Sequence, residues 1–372
     1  PGAPLIAGDA RRILLRAPAA ARAGREAAAE PEGRDGRCRR RAGGRDRLSM
    51  TQAGAGLRER AYLRELVALA LREDLGAGDV TTRAAVPPRR RAAAAIVAKA
   101  DGVLAGTAAL AEVYRQVDRE VRVELLRADG SPLEPGTVVA RIAGPARSIL
   151  SGERVALNFL ARLCGVATLT RRFVEKVAGT CVRICDTRKT TPAWPALERA
   201  AVRAGGGTNH RFALDDAVLV KSNHVRAAGG WERALEAVRE GKRQGLPTEV
   251  EVATPDEIAA VLDAGPDRIL LDNFALEAIR AAVRAIRAAA PGVEIEASGG
   301  VTLENVRAIA EAGVDWISVG ALTHSAPALD LALRIEEVDG DDRGGSDAAR
   351  GGEPTEAKRR WRANHGTRRG GS

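Results

Sequence analysis

Aromatic side chains are scarce in this 372-residue chain: Phe, Trp and Tyr together make up 3%, and there is one methionine. Any core must therefore be built from Ala, Val, Leu and Ile, and a hydrophobic content of 45% supplies enough of them for two domains. Cysteine is equally thin. Cys38, Cys164, Cys181 and Cys185 form no CxxC pair and have no histidine at metal-ligand spacing, which reads as reduced thiols of a cytoplasmic protein. No apolar run approaches the ~20 residues of a membrane span, and the first residues lack the apolar segment of a signal peptide. A membrane partner is not expected.

Basic residues are in excess, 58 Lys and Arg against 49 Asp and Glu, for a net charge of +9. Such a balance suggests a nucleic-acid partner until its location is checked. Residues 1–49 carry 12 basic and 6 acidic side chains, and residues 339–372 carry 8 and 6. The two ends thus hold +8 of the +9, and residues 50–338 are nearly neutral. No nucleic-acid partner is expected for the compact part.

The ends also lack hydrophobic periodicity. Residues 1–49, with RCRRR at Arg37–Arg41, read as an extension that is either disordered or foreign to the native chain. Met50, where pattern begins, is the expected native start. Glu26, Glu30, Glu32 and Asp35 argue against a transit peptide. Residues 339–372 are low in complexity and read as a disordered tail.

Between them lie two domains of different rhythm, 50–165 and 166–338. In the first, Tyr62, Leu63, Leu66, Leu69 and Leu71 mark a helix over 57–75. Strands are expected at 93–98, 121–126 and 138–142, with a helix at 107–117, as in a small α+β domain. Helices over 146–164 and 167–177 lead out of it. In the second, strands at 182–186, 217–221, 249–252, 268–272, 294–297 and 316–319 alternate with helices at 195–203, 231–244, 255–263, 276–289 and 303–312. This alternation means parallel strands with helical crossovers, and the strands read as apolar on both faces apart from their ends. The absence of a GxGxxG turn after the first strand, and polar residues at nearly every strand end, favour an α/β barrel over a doubly wound sheet.

The strand ends carry the chemistry. They read Asp186-Thr187-Arg188-Lys189, then Lys221-Ser222-Asn223-His224, Glu251, Asp272-Asn273, Ser298-Gly299-Gly300 and Gly320. In a barrel these converge on one face. Arg and Lys hold carboxylates and phosphates, two acids suit ribose hydroxyls or Mg²⁺, and Gly ends ahead of helices present N–H groups to a phosphate. One Lys or Asp alone would be a solvated rim or a helix cap, but six consecutive strands with complementary ends are hard to assign to chance. The loop AGGGTNHRFALDD adds His210 and Arg211 beside three glycines. Arg154, in GERVALNF, is either a solvated helix residue or a further ligand.

Taken together, EDLGAGDVTT, SGERVALNFL, DTRKTTP, AVRAGGGTNHR, VLVKSNH, EVEV, ILLDNF, EASGGV and ISVGALTHS resemble the quinolinate phosphoribosyltransferase (carboxylating nicotinate-nucleotide pyrophosphorylase) family, in family order, over about residues 57–335. The resemblance implies an N-terminal α+β open-faced sandwich followed by an incomplete parallel α/β barrel. It also implies a homodimer with shared active sites. The implied reaction joins quinolinate and phosphoribosyl pyrophosphate, with Mg²⁺, to give nicotinate mononucleotide, pyrophosphate and CO2 in NAD biosynthesis. Under it, Arg188, His210, Arg211 and Lys221 line the quinolinate pocket, and Arg154 reaches in from the second subunit. Lys189, Glu251 and Asp272 are the catalytic set. Lys189 meets the sugar-pyrophosphate, while Glu251 and Asp272 hold ribose hydroxyls and the metal. Ser298, Gly299, Gly300 and Gly320 cradle the 5′-phosphate. The chain departs from the family where Gly-Leu-Arg becomes Ala193-Trp194-Pro195, Glu-Lys-Tyr becomes Glu198-Arg199-Ala200, the acid after Lys221 becomes Ser222, and a Gly becomes Ala213. The competing readings are a ModD-like paralogue acting on another aromatic acid, and a basic-tailed nucleic-acid binder.

Overall fold

A computed structural model describes the backbone of residues 52–338 and side chains from residue 61. Met50 and the two terminal extensions lie outside the described residues. The first layer is a four-stranded antiparallel sheet in the order β12 (Leu331–Val338), β1 (Arg91–Ala98), β5 (Val138–Pro145) and β3 (Arg122–Leu125). Helices α1 (Gln52–Leu75), α3 (Thr107–Val117) and α4 (Ala146–Lys176) share a core with it. Ile96, Ile142, Leu110, Val113, Tyr114, Ile149 and Leu160 are fully buried there. The many alanines of β1 answer the shortage of large aromatics: short side chains let the helices approach the sheet closely.

Two expectations change here. The helix expected to break near residue 165 is one 31-residue rod, α4. Gly165 inside it is not a breaker. A Cβ there would stand 2.0 Å from the carbonyl oxygen of Pro327, so glycine marks a close backbone approach. The last strand, β12, was not anticipated. It leaves the barrel and pairs antiparallel with β1, Ala98 against Leu331.

The second layer is a six-stranded parallel sheet. Its order is β6 (Arg183–Cys185), β11 (Trp316–Ser318), β10 (Glu294–Ser298), β9 (Arg268–Asp272), β8 (Thr248–Val252) and β7 (Val218–Val220). Strands from β7 to β11 follow one another in sequence and β6 then meets β11. A doubly wound sheet would reverse direction part-way. This one winds a single way round and forms an incomplete barrel. The seam between β6 and β7 is partly filled by the loop before β7, which makes a parallel bridge from Thr208 to Cys185.

Helices α5 (Pro195–Ala204), α7 (Trp231–Arg243), α8 (Glu257–Ala264), α9 (Leu276–Ala289) and α10 (Val306–Glu311) cover the outside. Val250, Val252, Ile269, Leu271, Ile295, Ala297 and Ile317 pack against them. The alternate residues face inward, and they are not apolar as expected. Glu249, Arg268, Glu296 and Trp316 are at most 2% exposed inside the barrel. Strands that read EVEV and EIEAS place every glutamate on that inner face by their period of two. Short helices α2 (Val80–Ala85), α6 (Ser222–Ala228) and α11 (Ala321–His324) and the pair β2 (Gly102–Val103) and β4 (Pro132–Leu133) were also not foreseen. Cys164 and Cys185 are free and buried, as expected, whereas Cys181 is disulfide-bonded. Among the described residues no helix is long and apolar enough to cross a membrane.

Candidate active site

The mouth of the barrel is built from the turns that follow its strands. At β7 and β8, the Nζ of Lys221 lies 2.8 Å from Oε2 of Glu251, with side chains 44% and 12% exposed. Among the described residues Oε1 of Glu251 has only a long contact, 3.5 Å, from the Ser222 N–H. Lys221 caps α6 and its N–H donates to Nδ1 of His224 at 2.9 Å. At β9, Asp272 accepts from the side chain of Asn273 at 3.0 Å. Register places Asp272 directly beside Ser298 of β10.

Asn273 was read from the sequence as part of a strand end but given no role of its own. Its φ of 56° is left-handed, a conformation Asn tolerates better than most residues. From there its N–H donates to the Ser298 carbonyl at 2.8 Å. A Cβ on Gly299 would come within 2.2 Å of its Oδ1, so this Gly lets the two strand ends interlock. Gly299 and Gly300 both have positive φ, which shapes the turn proposed as a phosphate cradle. Gly320 faces Lys189: a Cβ there would meet the lysine Cδ at 3.1 Å. The Lys189 carbonyl accepts from Thr323 Oγ1 at 2.7 Å, so the β6 and β11 turns are tied together.

Arg188 and Arg211 stand close enough for their charges to act on each other. Arg211 is 6% exposed and donates through Nη1 to the Ala217 carbonyl at 2.8 Å. Its Nε is buried without a hydrogen-bond partner among the described residues. Burial first, and the Arg188 charge second, push its guanidinium below the usual range. Arg188 itself is exposed, and its side chain makes no ion pair or hydrogen bond among the described residues. Two cations held this way, one of them dehydrated, are short of negative charge.

His210 stands beside two buried glutamates of the barrel interior. It is 8% exposed, and its Nε2 is 3.0 Å from Glu249 Oε2 and 3.6 Å from Glu296 Oε2. Its Nδ1 accepts the Arg211 N–H at 2.8 Å, which places the ring proton on Nε2, facing the carboxylates. Burial lowers its pKa, but Glu249 and Glu296 outweigh that and raise it. The three ligand atoms lie close enough for a cation. Arg268 already supplies counter-charge, through a 2.9 Å bond to Glu296 and a 2.8 Å bond to Glu294. Its guanidinium also stacks 4.1 Å from the Trp316 ring centroid. Burial raises Glu249, but His210 and Arg268 overcome this and hold it at about 2. Burial and the Glu249 charge raise Glu296.

The departures are accommodated individually. Ala193 takes a left-handed φ of 63°, the conformation that favours the usual glycine, at a cost of roughly 1 kcal/mol. Trp194 stacks on Phe159 with centroids 4.7 Å apart, and Pro195 begins α5, where its missing N–H costs nothing. Glu198 is fully buried, accepts the Thr191 N–H at 3.0 Å and pairs with Arg162 of α4 at 3.0 Å. Arg154 is exposed on α4, and no contact among the described residues joins it to the other candidates.

Two family models match the chain consecutively: the quinolinate phosphoribosyl transferase N-terminal domain over residues 79–164 and its C-terminal domain over residues 166–334. The chain belongs to the quinolinate phosphoribosyltransferase family. It is 40% identical over 263 residues to a probable nicotinate-nucleotide pyrophosphorylase (carboxylating) of Bacillus subtilis, covering 71% of this chain and 90% of the relative. It is 42% identical over 279 residues to the corresponding Mycobacterium leprae protein, covering 73% and 96%. Among solved structures, the nicotinate-nucleotide pyrophosphorylase of Francisella tularensis superposes with a TM-score of 0.68 at 35% identity, over 74% of this chain and 96% of that one. That of Ehrlichia chaffeensis gives 0.69 at 35% identity, over 73% and 98%. Family membership and the observed mixed α/β architecture thus agree with the sequence reading.

Proposed function

We propose that this phosphoribosyltransferase-family protein joins quinolinate to phosphoribosyl pyrophosphate and releases pyrophosphate and CO2, giving nicotinate mononucleotide. The observation that carries this reading is the pair Arg188 and Arg211, with a buried Arg211 Nε unsatisfied among the described residues. A dicarboxylate supplies the missing negative charge and acceptors. Arg188, Arg211 and Lys221 bind its carboxylates, and the Nε2 proton of His210 stays with the carboxylates below. Ser298, Gly299, Gly300 and Gly320 hold the 5′-phosphate, and Lys189 the pyrophosphate.

The ring nitrogen of quinolinate then attacks the anomeric carbon as its bond to pyrophosphate breaks. Positive charge builds on the sugar, and Glu251 and Asp272 stabilise it. The C–C bond to the adjacent carboxylate breaks next. Its electron pair stays on the ring carbon beside the positive nitrogen, and a proton replaces CO2 there. Glu251 and Asp272 offer hard oxygen donors on neighbouring strands, with Glu251 Oε1 only loosely engaged, and so suit Mg²⁺. Bound there, Mg²⁺ would stabilise negative charge on the leaving pyrophosphate.

Product analysis tests the reading. With phosphoribosyl pyrophosphate, quinolinate should yield nicotinate mononucleotide and CO2 in equal amounts, and nicotinate should yield little. Turnover of nicotinate in preference to quinolinate would overturn it and favour a paralogue with another aromatic acid.

The exposed Arg154 fits a homodimer in which it completes the partner's site. Arg154→Ala and Lys221→Ala proteins, each inactive, should recover up to about a quarter of wild-type activity on mixing, because one hybrid site is then intact. No recovery, with hybrids verified by mass, would rule out shared sites. The reaction and its substrates fit a cytoplasmic enzyme.

A further inference from the structure

Arg211 owes its position to its main chain as much as to its own guanidinium. The peptide units on both sides of it are gripped by a second arginine. Arg199, on α5, donates through Nη2 to the His210 carbonyl and through Nη1 to the Arg211 carbonyl at 3.2 Å. Its Nη1 is also 3.4 Å from Oδ1 of Asp186. The same Oδ1 accepts the His210 N–H at 2.8 Å, and Oδ2 accepts the Asn209 side-chain amide at 2.5 Å. Asn209 also donates to the Arg199 carbonyl at 3.1 Å. Asp186 is fully buried and Arg199 is 7% exposed. The Phe212 ring lies 5.2 Å from the Arg199 guanidinium carbon and covers the clamp.

We propose that Arg199 and Asp186 are positioning residues for the quinolinate dicarboxylate: they act through the backbone of residues 209–211 to set where the Arg211 guanidinium stands. The inference rests on the activity proposed above. The chemistry asks for an arginine. Two consecutive carbonyls and a carboxylate must be met from one planar group, and a forked guanidinium carries five donors in fixed directions. A lysine ammonium has three rotatable donors on a flexible stem and cannot hold both carbonyls in one plane. Position 199 is also one of the departures noted above, where Lys is usual in the family.

Burial supplies the second argument. Asp186 carries its charge in a dry place, where burial raises its pKa. That cost is offset in part by Arg199, the His210 N–H and the Asn209 amide acting together. Such an arrangement either stands in one geometry or leaves a buried charge unpaired, so the loop has little freedom to wander. A carboxylate pair on a rigid pyridine ring needs that rigidity, since a displacement of ~1 Å of one cation is worth up to about 100-fold in rate.

Arg199→Lys is the discriminating variant, with Asp186→Asn as its partner. For Arg199→Lys the KM for quinolinate should rise by about tenfold. The KM for phosphoribosyl pyrophosphate should stay within about twofold, and kcat within about threefold. Hydrogen–deuterium exchange of a peptide spanning residues 208–213 should speed up. Asp186→Asn should move both readouts the same way. A quinolinate KM within twofold of wild type alongside faster exchange would reduce the clamp to a structural support and overturn the proposal. An equal rise in both KM values would overturn it too. If the wild-type protein does not use quinolinate, the activity reading falls on its own. Exchange in residues 208–213 then judges the clamp alone, and an unchanged rate in both folded variants refutes it.

Discussion

Arg211→Ala should raise the KM for quinolinate by at least about 30-fold while leaving the melting temperature within a few degrees of wild type. The size follows from what the side chain offers. Its Nε is buried and unpaired, and its one side-chain hydrogen bond among the described residues goes to the Ala217 carbonyl. A ligand carboxylate completing that set forms a charge-assisted pair in a dry place. Removing one partner from such a pair costs about 2–5 kcal/mol, of which the lower end is a factor of about 30. Stability should change little, because burial and the Arg188 charge both work against a folded Arg211 cation. Losing the Ala217 bond is offset by relieving that repulsion. Steady-state kinetics with quinolinate varied at saturating cosubstrate reads the result, and calorimetric binding of quinolinate checks it without turnover. A quinolinate KM within fivefold of wild type would remove Arg211 from the pocket.

Arg268→Met should have the largest effect on stability, a loss of about 3–5 kcal/mol. Arg268 is 1% exposed, bonds Glu296 and Glu294 and lies over Trp316. Methionine keeps the volume but leaves Glu249 and Glu296 buried against each other with His210 alone beside them. A domain of ordinary stability, about 5–15 kcal/mol, can be brought close to unfolding by such a change. The pH dependence has a definite sign. Burial and the Glu249 charge raise the Glu296 pKa in the folded state. A raised carboxyl adds stability below its unfolded pKa and loses it as pH rises through the folded pKa. Without Arg268 that pKa climbs further, so the deficit of the variant should shrink on acidification from pH 8 to pH 5. Adding Glu296→Gln should recover most of the loss. Thermal melts across that range test both statements, and a deficit that is constant with pH would show that charge burial is not its cause.

The parts of this molecule that were legible in the sequence are those written in local pattern. Strand β9 and helices α3 and α9 have the bounds that their apolar periodicity suggested. The strand ends bring Lys221 to Glu251, Asp272 to Ser298 and Lys189 to Gly320 because parallel register does so automatically. What stayed hidden depends on tertiary partners. Gly165 looked like a helix break because nothing local shows the Pro327 carbonyl against it. Strand β12 looked like a plain end because its partner, β1, lies far upstream. The inner face of the barrel was misread for a different reason. The alternation in EVEV and EIEAS was visible, but acids inside a barrel make sense only beside Arg268 and His210, which come from other segments. For Arg199 the clue was its departure from the usual Lys, and only the geometry shows which carbonyls it serves.

The return of β12 to β1 has a bearing on how the chain is made. About 230 residues separate the two strands. At ~5–20 residues per second of synthesis, β1 emerges from the ribosome roughly 10–50 s before its edge partner exists. Throughout that interval one side of an alanine-rich strand is open to pairing with any other nascent chain. The exposed Arg91 at the start of β1 puts a charge on such an edge at one end. Translation order thus makes the first domain the last to be completed.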